Sequence, residues 1–145
     1  MIDERILITG GAGFIGATLV GRLIDANEIV VLDNFTRNAL SETPYSTHPR
    51  LRMLEGDVTD AEAVHEAARE ATVVIHAAAI AGIESTLTDP VKTMRTNILG
   101  TANVLEAASR LPRLKRCLVF STSEVCGSHA LNALETDETV IGACG

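Results

Sequence analysis

The segment Thr9-Gly10-Gly11-Ala12-Gly13-Phe14-Ile15-Gly16 constrains this chain more than any other. It follows a short β-branched run, Arg5-Ile6-Leu7-Ile8-Thr9. It opens a helical stretch, Phe14 to Asn27, that puts Ile15, Leu19, Val20, Leu23 and Ile24 on one face. Glycines so spaced give a tight turn, let backbone approach a bulky anion, and let the helix pack on the strand. Free amides at the helix start, helped by the helix dipole, then face negative charge. Both Gly11-x-Gly13-x-x-Gly16 and Gly10-x-x-Gly13-x-x-Gly16 satisfy the dinucleotide fingerprint. The strand before and the helix behind supply the context that a bare glycine string lacks.

The alternation continues along the chain. Glu28–Asp33 reads as a second strand, nearly continuous in apolar residues, as strands buried on both faces are. Residues 34–50 read as a surface loop with room for a short helix. Leu51–Glu55 is a third strand, a helix capped by Thr59 or Asp60 runs to about Ala71, and Thr72–His76 is a fourth strand. Residues 80–85 read as a loop. A long helix from about Asp89 to Arg110 places Val91, Met94, Ile98, Leu105 and Ala108 on one stripe, and Arg116–Ser121 is a fifth strand. Aromatics make up only 3% of the residues, so Ala, Val, Ile and Leu carry the core, which suits helix-on-sheet layers better than a sandwich. The expected fold class is α/β, a Rossmann-type doubly wound parallel sheet in the order 3-2-1-4-5, within one domain over 1–145. The pattern fades after Gly127, and the chain is expected to be cut before a sixth strand.

The second strand ends in Asp33, seventeen residues beyond Gly16. A carboxylate there accepts from both adenosine ribose hydroxyls and repels a 2′-phosphate, which favours NAD over NADP; the nearby Arg37 works against that preference. The net charge of −7 argues against nucleic acid or an acidic membrane as partner. Cys117, Cys126 and Cys144 have no metal-ligand spacing and are expected to be reduced, mostly buried thiols. His76 is expected to be a strand-end histidine with a satisfied ring, while His48, His65 and His129 suggest no constellation. No leader and no apolar run of about 20 residues is evident, and the expected location is the cytoplasm.

With these residues in view, the chain resembles the extended short-chain dehydrogenase/reductase family, the NAD-dependent epimerases, dehydratases and decarboxylases of nucleotide sugars. The resemblance rests on Thr9–Gly16, Asp33-Asn34-Phe35, Gly56-Asp57-Val58-Thr59-Asp60, His76-Ala77-Ala78-Ala79, Thr96-Asn97-Ile98-Leu99-Gly100-Thr101 and Phe120-Ser121-Thr122-Ser123-Glu124-Val125, in that order. It implies cofactor contacts from Gly10, Gly13, Phe14, Ile15, Gly16, Asp33, Asn34 and Ser121. Asp57 would accept from the adenine amino group while Val58 packs on the ring. Ala77, Ala78 and Ala79 would line the nicotinamide-side ribose, and Asn97 would brace the active site.

Thr122 sits where the resemblance implies a hydroxyl bonded to the sugar oxygen, and Glu124 is a candidate catalytic carboxylate. The family's Tyr-x-x-x-Lys pair is absent: the single tyrosine, Tyr45, lies in the loop after the second strand, on the wrong side of the site. Ser123, where dehydratases carry Asp, counts against dehydration. The resemblance thus implies the front part of a nucleotide-sugar epimerase acting by transient oxidation, inactive alone and paired as a homodimer through helix 89–110. The alternatives are a decarboxylase acting on UDP-glucuronate and a non-catalytic dinucleotide-binding module.

Overall fold

The computed structural model describes residues 1–122. Five strands, β1 (Arg5–Thr9), β2 (Glu28–Asp33), β3 (Leu51–Glu55), β4 (Val73–His76) and β5 (Arg116–Val119), form one parallel sheet in the order β3-β2-β1-β4-β5. The register pairs Leu7 with Val30 on one side and with Val74 on the other. Each inner strand presents apolar side chains alternately to two faces, and each face has its own core.

Ile6, Ile8, Ile29, Val31, Val73 and Ile75 pack under α1 (Phe14–Leu23) through Ala17 and Val20. Leu7, Leu32 and Val74 face Val64, Ala67 and Ala68 of α2 (Ala61–Ala68) and Val104, Ala107 and Ala108 of α5 (Gly100–Ser109). Asp60 caps α2, its carboxylate accepting from the amides of Glu62 and Ala63. The α1 helix stops at Leu23, short of the expected Asn27, and a 3-10 turn covers Ile24–Ala26. Buried Asn27 ends it, donating to the Leu23 carbonyl at 2.7 Å and accepting from the Glu4 amide at 3.1 Å.

The loop at 34–50 takes the place of a helix on the α1 face. Its 3-10 turn, Leu40–Glu42, buries Leu40 completely, and the Tyr45 hydroxyl donates to the Ala17 carbonyl at 3.0 Å. Gly21 lets the Tyr45 ring lie there, because a Cβ would fall 2.6 Å from it.

The segment expected as a loop contains α3 (Ile83–Thr88), and the expected single helix is three pieces: α4 (Pro90–Met94), a π turn (Arg95–Leu99) and α5. The expected stripe divides accordingly. Ala108 faces the core, whereas Val91, Met94, Ile98 and Leu105 are exposed, because Gly100, Asn103, Val104 and Ala107 fill the inner side. Cys117, expected to be buried, is exposed on β5, an edge strand of the described sheet; Cys126 and Cys144 lie outside the described residues.

Candidate functional site

All five strands are parallel, so their C-terminal ends share one rim. Backbone bonds knit that rim past the ends of the strands: Gly10 amide to Leu32 carbonyl at 2.9 Å, Ala77 to Thr9 at 3.0 Å, Gly56 to Asp33 at 3.0 Å, and Phe120 to His76 at 3.1 Å. The strand order reverses between β1 and β4, and the glycine loop sits at that point.

The glycines divide by what surrounds them. Gly10 has φ +71°, and a Cβ there would lie 2.6 Å from the Ala78 backbone. A Cβ on Gly16 would meet the Gly10 carbonyl oxygen at 2.3 Å, and one on Gly11 would meet the Val31 side chain. Those three are fixed by the fold. Gly13 is different: its nearest neighbour would be 3.4 Å away, and its φ is an ordinary −69°. Gly13 is also the N-cap of α1, and no side chain caps it. The first-turn amides of Phe14, Ile15 and Gly16 are therefore left for an anion. Phe14 (82% exposed) and Ile15 (53%) stand out beside them.

Asp33 faces this turn from the end of β2. Its Oδ2 accepts from the Ala12 amide at 3.0 Å and its Oδ1 from the Phe35 amide at 2.9 Å. Each oxygen retains a lone pair, so the carboxylate both shapes the loop and can take further donors. Asn34 is exposed and its carbonyl oxygen accepts from the Thr36 amide at 3.1 Å. Asp57 is exposed; Oδ1 caps its own turn, accepting from the Thr59 amide and hydroxyl, and Oδ2 is left over. The expectation for Val58 changes here. Its side chain is only 5% exposed and turns inward against Gly100, so a ligand at this loop would meet its main chain instead.

Ala77 and Ala78 are half-buried and Ala79 is exposed along the strand-end segment of β4. Asn97, in the π turn, grips the next residue: its Oδ1 accepts from the Ile80 amide at 2.8 Å and its Nδ2 donates to the Ile80 carbonyl at 2.9 Å. Ser121 and Thr122 are exposed after β5, and Glu124 lies outside the described residues.

His76 proves to be a bonded strand-end residue. The Thr101 hydroxyl donates to the Asn97 carbonyl at 2.6 Å, so its oxygen accepts from His76 Nε2–H at 3.0 Å. That assigns the tautomer and leaves Nδ1 to accept from the Thr9 hydroxyl at 2.6 Å. Burial holds the His76 pKa below the ordinary histidine value. Nothing in the sequence marks Thr9 and Thr101 as partners of His76, whereas Asn103 carries a signal, a carboxamide in a helix interior where its propensity is poor. A concavity at the opposite end of the sheet, lined by Arg5, Glu28, Arg52 and Glu70, lies far from the glycine loop.

A sequence model of the "NAD dependent epimerase/dehydratase family" matches residues 6–142. The chain belongs to that family. UDP-glucuronic acid decarboxylase 6 of Arabidopsis thaliana is 41% identical over 86% of this chain and 35% of its own length. Among solved structures, UDP-N-acetylglucosamine 4-epimerase from Methanobrevibacter ruminantium M1, in complex with UDP-N-acetylmuramic acid, superposes with a TM-score of 0.85 at 26% identity. It covers 100% of this chain and 46% of that one. The Bordetella bronchiseptica enzyme WbmG in complex with NAD superposes with a TM-score of 0.72 at 35% identity, over 86% of this chain and 39% of WbmG. The chain therefore spans less than half the length of these epimerase/dehydratase-family relatives. Two of them are named for nucleotide-sugar reactions of different types, a decarboxylase and a 4-epimerase.

Proposed function

We propose that residues 1–145 form the NAD-binding part of a nucleotide-sugar epimerase/dehydratase-type enzyme whose whole chain works by transient oxidation of a sugar carbon. One observation carries the reading: the uncapped start of α1 opens beside the Asp33 carboxylate where the sheet order reverses. The residues present fit the dinucleotide. Its pyrophosphate lies on the Phe14, Ile15 and Gly16 amides, with Gly13 offering no side chain in the way. Asp33 accepts from the adenosine ribose, with Asn34 alongside, and repels a 2′-phosphate. Asp57 accepts from the adenine amino group through Oδ2 beside the Val58 main chain. Ala77, Ala78, Ala79 and Ser121 line the nicotinamide side, where Asn97 keeps Ile80 in place.

Bound NAD supplies a hydride acceptor that returns the same hydride. Thr122 holds the sugar oxygen by its hydroxyl, and Glu124, two residues on in the sequence, is the candidate carboxylate for proton transfer. The sequence has no Tyr-x-x-x-Lys, so residues 1–145 bind without turning over. The partner proposed for the exposed α4–α5 face is a second copy. The proposed setting is the cytoplasm; among the described residues no helix is long and apolar enough to cross a membrane.

A second reading, decarboxylation of a nucleotide-linked uronic acid, is favoured by the 41% identity to the Arabidopsis decarboxylase. Calorimetric titration of the chain with NAD and NADP tests the cofactor site, with NAD expected to bind at least about tenfold tighter, the worth of one charge-assisted hydrogen bond. Equal affinities would remove Asp33 from the site. The reaction is tested with the gene's full-length product on UDP-glucose and UDP-glucuronate. C4 inversion without NADH release supports epimerisation, CO2 release supports decarboxylation, and no turnover leaves a non-catalytic binding module.

A further inference from the structure

Asn103 has no obvious business in the core. It is 7% exposed, in mid-helix on α5, among Val58, Val64, Val104 and Ala107. A buried carboxamide persists only where its hydrogen bonds are met. Here Nδ2 donates to the Val58 carbonyl at 2.9 Å, across 45 residues of sequence. One turn earlier, Gly100 lets the Val58 side chain settle on the helix backbone, since a Cβ would fall 2.5 Å from Val58 Cγ2. Helix α5 thus both pulls and seats the segment that carries Asp57.

We infer that Asn103, with Gly100, is the positioning pair for recognition of the adenine base: they hold Val58 so that Asp57 Oδ2 meets the exocyclic amino group. The inference rests on the cofactor reading above. Asp57 itself is exposed, and only its own turn orients its carboxylate, through Oδ1 and Thr59. The depth and tilt of that turn are therefore set by what anchors Val58. The same helix segment grips the other end of the cleft through Asn97 and Ile80, so base recognition and the nicotinamide side depend on different side chains of one crossover connection.

The test compares NAD with its hypoxanthine analogue, in which an oxo group replaces the amino group, by titrating the 145-residue chain. Wild type is expected to prefer NAD by about tenfold, the worth of one hydrogen bond to a charged group. Asn103→Leu, which keeps the shape and removes the donor, is expected to reduce that preference to under about threefold. Gly100→Ala does the same from the opposite direction, pushing Val58 outward, while alanine favours the helix itself. It therefore keeps the idea testable if Asn103→Leu does not fold. A merely structural role would weaken both ligands alike and leave their ratio unchanged, and that result in a folded variant overturns the inference. A wild type that binds both ligands equally also overturns it, with the NAD site intact. A wild type that binds neither overturns the cofactor reading and this inference together.

Discussion

At the scale of single residues, the glycines of the first turn separate structure from binding. Gly16→Ala drives a Cβ into the Gly10 carbonyl oxygen, a backbone atom that cannot step aside, and overpacking of that kind costs about 1–3 kcal/mol. Gly13→Ser has the opposite sign. Its backbone is extended, as an N-cap requires, there is room for the side chain, and the new hydroxyl would accept from the unpartnered first-turn amides. Thermal melts should show Gly13→Ser about a few tenths of a kcal/mol more stable than wild type without ligand. NAD titration should show it at least about tenfold weaker, because the hydroxyl occupies the donors that the proposed site offers to phosphate. His76 contributes a pH dependence. Burial lowers its folded pKa, so the unfolded chain takes up the proton first as pH falls. Its contribution is complete above the ordinary histidine value of about 6.5 and is lost below it, by at most about 1.4 kcal/mol per pH unit, down to the folded pKa. Denaturant melts between pH 8 and 5 should show this slope, and His76→Gln should lack it.

The decisive element is the crossover from β4 to β5. Its inner face carries Gly100, Asn103, Val104, Ala107 and Ala108 to the core, and the π turn presents Asn97 to the loop at Ile80. Its outer face leaves Val91, Met94 and Ile98 each more than half exposed. A contiguous apolar patch on a helix face is a docking surface more often than a random feature. Sedimentation of the chain should show a dimer, and Ile98→Glu should shift it to monomer with little change in the melting of the monomeric fold. A wild type that sediments as a monomer at high micromolar concentration would remove the proposed pairing.

For the molecule as a whole, protection is uneven across the sheet. The residues of β4 are all buried and β1 nearly so, whereas every residue of β5 is exposed and β3 forms the other edge. Hydrogen exchange should find the slowest amides in β1 and β4 and the fastest strand amides in β5. The N-terminal edge is tied by Glu4, which accepts from Lys115 Nζ at 2.7 Å and from the Thr72 hydroxyl at 2.6 Å. Those two bonds hold its carboxyl below the ordinary range, so their contribution is present above about pH 4.5 and fades as pH falls through the lower folded value. The rim that carries the glycine loop and the edge that is tied are thus opposite ends of one sheet.

Strand identities, sheet order, the glycine turn and the Asp33 position were legible in the sequence, because each is written in local periodicity or in a residue type that only one backbone geometry accepts. So was the satisfied ring of His76, though not its partners. What the sequence left open depended on contacts between distant segments. The inward turn of Val58, the Asn103 tether across 45 residues and the Thr9–His76 bond across 67 exist only once the helices have docked. The π turn and α3 are not legible in the sequence for a related reason: the Asn97 bonds to Ile80 and the packing of α5 hold a helical irregularity that no periodicity announces. Local sequence fixes which elements form, since it sets the cheapest backbone for each stretch. Tertiary packing decides which face each element buries and which polar groups must find partners there.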